Sequence, residues 1–179
     1  MINFHTHALW SDGELLPAEL ARRAEYLGYK ALAITDHADF SNLEILIPRI
    51  CNVCQKLRGS LNIQIIPGVE LTHLPPGDIA QAAKEARLLG AQIVVVHGET
   101  IVEPVMPGTN LRALESEINI LAHPSLITED EIKLAKEGGG RAYHPERPFA
   151  YQWSYSSMCN QVWSAAYFKY RFTFSFRSY

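Results

Sequence analysis

The stretch that decides the fold is Ala91–Gly98, AQIVVVHG. From Gln92 to Val96 it is almost continuously hydrophobic, the mark of a strand covered on both faces, and such strands belong to parallel sheets flanked by helices. It also ends on a histidine, His97. The segments on either side repeat the pattern. Asp78 to Leu89 reads as a helix closed by Gly90, and Ile118 to Leu121 as the next strand; Thr128 then opens a further helix, with Glu131 completing a capping box. Toward the N-terminus lie a strand at Ile63 to Ile66 and a helix from about Leu43 to Leu57, in which Pro48 marks a late start or a kink. Further back come a strand at Ala31 to Thr35, a helix from Pro17 to Leu27 with Gly28 just past its end, and a first strand at Ile2 to His5. From Met1 to about Gly140 the chain therefore alternates strand and helix, which predicts an α/β fold with a parallel sheet or barrel.

The 179 residues suffice for one domain with a sizeable core, and the formal net charge of -3 gives no bulk attraction for nucleic acid or anionic membrane. No apolar run approaches the length of a membrane span, and MINFHTH lacks the basic region and apolar core of a signal peptide, so a cytoplasmic protein is expected. Cys51 and Cys54 form a lone CxxC inside a helical pattern, with no second pair to complete a zinc site, and are expected to behave as small hydrophobes. Nothing in the sequence sets the oligomeric state.

The residues able to bind metal fall at strand ends. His5 and His7 sit two apart at the end of the first strand, so their side chains leave the same face. Asp12 follows in SDG, His37 ends the second strand in ITDH, Glu70 follows the third in GVE, His97 ends the fourth and His123 ends the fifth in LAHP. Parallel barrels build their sites at this rim. Each residue alone reads as an ordinary structural one. Five histidines, Asp12 and Glu70 converging together would be costly without cations to pair them. His73 reads as a supporting or substrate-facing residue, and Asp36, on the opposite side of its strand from His37, either orients a ligand or caps the next loop. Mixed nitrogen and oxygen donors in this number suit two or three divalent ions such as zinc, manganese or iron. Clustered cations generate a metal-bound hydroxide and neutralise phosphate oxygens, so phosphate-ester hydrolysis is the expected chemistry.

HTHALWSDG, ITDH, GVE, the strand-end His97 and AHP resemble the polymerase and histidinol phosphatase (PHP) family, most closely its small stand-alone phosphoesterases. The likeness covers Met1 to about Glu137. It implies a distorted seven-stranded βα barrel, of which about five units are present, and hydrolysis of a small phosphomonoester of the histidinol-phosphate kind. It further implies that His5, His7 and Glu70 serve one metal, that Glu70 bridges to a second with His97 and His123, and that Asp12 and His37 serve a third. Glu70, His97 and His123 are the residues it makes catalytic. A phosphodiester nuclease is the alternative enzyme.

After Gly138–Gly140 the character changes: 13 of the 18 aromatic residues lie from Arg141 onward, with Glu146 the single acidic residue there. A strand arm, a basic aromatic surface for single-stranded nucleic acid and a segment never selected to fold all fit that composition. A non-catalytic binding protein would use the second of these, although nucleic acid is not the expected partner. The family also carries an Asp-x-His at the end of its last strand, and none follows His123 here. Codons shifted by one base across Phe168 to Ser175 admit that motif. The reading is therefore a domain over 1–140, truncated, and a frameshifted tail over 141–179 that impairs activity.

Overall fold

A computed structural model of the chain describes residues 1–137. The expected boundary near Gly138–Gly140 and everything expected of 141–179, the frame change included, lie outside the described residues. Within them the elements are β1 (Ile2–Asn3), α1 (Pro17–Tyr26), β2 (Ala31–Ile34), β3 (His37–Ala38), α2 (Leu43–Leu57), β4 (Gln64–Leu71), α3 (Ile79–Leu88), β5 (Ile93–His97), α4 (Thr109–Leu114), β6 (Ile120–Ala122) and α5 (Glu129–Glu137). Every strand pair is parallel, in the order β1-β2-β4-β5-β6, with β3 also beside β4. β2 and β3 keep one register on β4, since Ile34 faces Pro67 and His37 faces Glu70. They act as a single strand of the sheet.

Alternation along these strands separates two apolar layers. Leu32, Ile34, Val69, Val94 and Val96 face the helices, where they pack with Leu20, Leu46, Ile47, Ile50, Ala82 and Ala86. On the other face, Ala31, Ala33, Ile66, Ile93, Val95 and Ala122 pack with Phe4 and Ile120. Continuing that inner face in steps of two leads from Ala33 to His37, from Ile66 to Glu70 and from Val95 to His97. The inner layer is thus the floor of the histidine cluster. A flat sheet would hold its first and fifth strands about 19 Å apart, yet the rings of His5 and His123, which follow the two edge strands, lie 5.3 Å apart. The sheet is curled, and five βα units form the incomplete barrel that the sequence predicts.

Two readings need correction. The third strand does not stop at Ile66: β4 runs through Pro67 and Gly68 to Leu71. Pro67 accepts a bond from Gln92 N at 2.8 Å, just before β5 begins, so its missing N–H falls where no ladder bond is lost. At Gly68 a Cβ would stand 2.7 Å from Thr35 Cγ2 and 2.8 Å from Ile93 O, so the close strand approach itself requires glycine. α4, in turn, has no counterpart in the sequence reading, because six residues are too few to show helical periodicity.

Elsewhere the local signals match. Thr128 and Glu131 form the capping box, with Thr128 N donating to Glu131 Oε2 at 2.7 Å and Glu131 N to Thr128 Oγ1 at 3.3 Å. Pro48 sits inside α2 on its exposed side, where water can solvate the carbonyl it leaves unbonded. Cys51 and Cys54 are free thiols of the same helix, and burial pushes the Cys54 thiol up to about 12. No helix among the described residues is long and apolar enough to cross a membrane.

Candidate metal centre

Thr6 explains why His5 and His7 point the same way. Its backbone N donates to Thr35 Oγ1 at 3.1 Å, its own hydroxyl donates to Ala33 O at 2.6 Å, and Thr35 N donates back to Thr6 O at 2.8 Å. Thr6 is clamped to β2, so the residues on either side project away from it. The loop that follows is pinned from below by Asp36, which is fully buried. Its Oδ1 accepts Ala8 N at 2.9 Å, Ser11 N at 3.1 Å and Ser11 Oγ at 2.8 Å. Asp36 therefore caps the earlier loop carrying Asp12, not the next loop as the sequence suggests, because that earlier loop folds back over the end of β2. Burial raises its carboxyl despite those bonds. Gly13 closes the loop against His7, where a Cβ would stand 2.4 Å from His7 O.

Glu70 is the centre of the cluster and is wholly buried. Its Oε2 lies 2.8 Å from His5 Nε2 and 3.1 Å from His7 Nε2, and those two nitrogens are 3.1 Å apart. Burial alone would raise the Glu70 carboxyl, but the charge of His5 and the bonds from His5 and His7 outweigh it and hold it well below the usual carboxylate range. Lone pairs at such separations repel unless a proton or a cation lies between them. Ligands 2.0–2.1 Å from a tetrahedral ion stand about 3.3 Å from one another, close to the spacing of this trio.

The second group joins His7, Asp12 and His37. Asp12 Oδ1 is 3.4 Å from His7 Nδ1 and 3.7 Å from His37 Nε2. The Thr72 hydroxyl donates to Glu70 O at 3.2 Å, which leaves its oxygen to accept His37 Nδ1–H at 2.6 Å and turns the lone pair of Nε2 toward Asp12. Burial, the largest influence, pushes the His37 imidazole down to about 4. His37 is neutral near pH 7, the state a ligand needs.

His97 and His123 join by ring contacts rather than at ligand spacing. Their centroids are 5.4 Å apart, and His37 lies 6.0 Å from His97. His123, its backbone at φ 53, is pushed down to about 4, first by burial and then by the charge of His5. The expected trio of Glu70, His97 and His123 is therefore not drawn together as the other two groups are. The nearest charged neighbour of His97 is instead Glu103, whose Oε2 stands 3.4 Å from His97 Nε2 and 3.4 Å from His73 Nε2. Sequence reasoning missed Glu103. It lies on a loop six residues past His97, without periodicity to mark it.

The donors fit a divalent cation. Among the described residues, Glu70 Oε1 and His7 Nδ1 are buried without a hydrogen-bond partner, although His7 Nδ1 faces Asp12, and the set mixes imidazole nitrogen with carboxylate oxygen. A curled parallel barrel with such a rim is an α/β protein that gathers side chains able to hold a divalent cation at the carboxyl ends of its strands. The PHP domain profile matches residues 3–137, and the chain belongs to that family, whose chemistry is metal-dependent hydrolysis of the phosphoesterase type. An uncharacterized protein of Methanocaldococcus jannaschii is 53% identical over 137 residues, 75% of this chain and 63% of that protein. The DNA polymerase/3'-5' exonuclease PolX of Bacillus subtilis is 24% identical over 132 residues, 69% of this chain and 23% of that protein. The chain thus spans under two thirds of the first relative and under a quarter of the second.

Proposed function

We propose that the protein hydrolyses a small phosphomonoester in the cytoplasm, of the histidinol-phosphate kind, using two or three zinc, manganese or iron ions. The observation that carries this is the trio of His5, His7 and Glu70, at ligand spacing around a wholly buried carboxylate. Bound divalent ions would supply a nucleophilic oxygen at neutral pH and neutralise charge on the phosphate. His5, His7 and Glu70 would hold one ion and Asp12, His37 and His7 another, while His97 and His123 close the rim beside Glu70. Glu70 offers a second, unpartnered oxygen for bridging. His37, kept neutral and oriented by Thr72, binds without first losing a proton.

A phosphodiester nuclease is the second reading, favoured by the likeness to a relative described as a 3'-5' exonuclease. Phosphate release from 4-nitrophenyl phosphate, set against nucleotide release from single-stranded DNA, tests both. Turnover of the aryl phosphate that stops with chelator supports the monoesterase; nucleotide release alone replaces it with the nuclease. We also propose a frame change near Gly138–Gly140 that weakens the activity of the chain as written. Sequencing the gene tests it, and an uninterrupted frame without a recoverable Asp-x-His would sink it.

A further inference from the structure

Glu103 stands outside both groups of donors already described, half-exposed on a loop whose two ends are fixed. Residues 98–108 form the connection from β5 to α4, and each end is tied. Gly98 N donates to Ala122 O at 2.7 Å, and Leu126 N to Glu99 O at 3.1 Å. Glu99 Oε1 accepts Gly108 N and Asn110 N, both at 3.0 Å, while Glu99 N donates to the fully buried Asn110 at 2.9 Å. Glu99 is thus spent on the backbone, and Glu103 is the carboxylate the loop delivers to the rim.

His97 is prepared to meet it. Its Nδ1 lies 3.2 Å from Gly98 O and donates there, which directs the lone pair of Nε2 at Glu103 Oε2, 3.4 Å away. That separation matches the about 3.3 Å between neighbouring ligands of a tetrahedral ion. His73 Nε2 is 3.4 Å from the same oxygen, and its ring lies nearly parallel to that of His97. His73 takes φ 55, a conformation costly for a side-chain-bearing residue and retained where the surroundings fix it.

We propose that Glu103 is a ligand of the cation held by His97, and that His73 orients its carboxylate. The role rests on the cation-dependent reading above, and adds to His97 a carboxylate donor from the loop after β5. A bound carboxylate whose second contact is an imidazole is fixed in geometry and in basicity, and losing such support weakens metal binding.

The test uses the full chain, stripped of metal and titrated with Co²⁺, read by its visible spectrum and by ions retained per chain. Glu103→Gln is expected to weaken one class of ion by about 10- to 100-fold and to change the Co²⁺ spectrum. His73→Asn should weaken the same class less, Glu103→Asp should recover part of it, and Glu115→Gln, just past α4, should match the unsubstituted protein. Melting of the metal-free variants, unchanged from the parent, shows that the fold is intact. A Glu103→Gln protein that binds the same number of ions with the same affinity and spectrum overturns the role. If the parent protein binds Co²⁺ and hydrolyses a phosphate ester while Glu103→Gln equals it, only this role falls; if the parent binds no Co²⁺, the cation-dependent reading falls with it.

Discussion

The two sides of the rim are built differently. On the β1–β4 side, His5, His7, Asp12, His37 and Glu70 are brought to ligand spacing by backbone clamps: Thr6 on β2, Asp36 under the loop, Thr72 behind His37. On the β5–β6 side, His97 and His123 meet as rings 5.4 Å apart, and the closest carboxylate to His97 comes from a connecting loop. The first side gathers two groups of donors at ligand spacing. On the second, His97 and His123 touch only as rings, and a single carboxylate comes near His97. Preorganisation of the first kind is what lowers the cost of binding.

Substitutions and conditions can break that contrast. The largest effect is expected from Glu70→Gln, which removes the charge shared by His5, His7 and His37; ion affinity at the first side should fall by more than about 100-fold, measured by titration of metal-free protein. Gln that binds ions normally would remove Glu70 from the centre of the account.

Acid should come next. His37 and His123 are held at about 4 in the folded chain against an ordinary value near 6.5, so the unfolded state takes up more protons as pH falls through that window. Their contribution to stability is complete above about 6.5 and lost toward 4. Glu70, held well below its usual range, adds a loss of the same sign lower down. Melting temperature in chelator should drop across this interval, and a flat profile would contradict the burial of both imidazoles.

Gly13→Ala forces a Cβ to within 2.4 Å of His7 O. A cost of about 1–3 kcal/mol is expected, with weaker ion binding on the first side and none of that weakening on the second. The smallest effect belongs to Cys51→Ser: the thiol packs against the core and donates to Leu89 O and Gly90 O, far from the histidine cluster in the fold's helical layer, so ion content should not change. Loss of an ion would restore the CxxC as a metal site.

Much of the first side was legible because its chemistry is local or periodic. His5 and His7 share a face by strand alternation, and the short motifs around Asp12, His37 and Glu70 each sit beside a strand that hydrophobicity alone locates. What escaped was long-range. Pro67 and Gly68 read as a strand end, but the neighbouring strand begins late enough to tolerate one and crowds the other into being glycine. Glu103 carries no periodic signal, and its place depends on Glu99 and Asn110 binding a helix too short to be seen. Asp36 was placed correctly on the far face of its strand, yet the loop it caps lies 25 residues or more back in the chain.

The most direct test is a calorimetric titration of the metal-free full chain with Mn²⁺, followed by phosphate release from 4-nitrophenyl phosphate at each step. The account predicts at least one tightly held ion per chain, bound before any other, with phosphate release rising as further ions bind and ceasing on chelation. A chain that binds no Mn²⁺ or Zn²⁺, or that releases phosphate equally well in chelator, would contradict it.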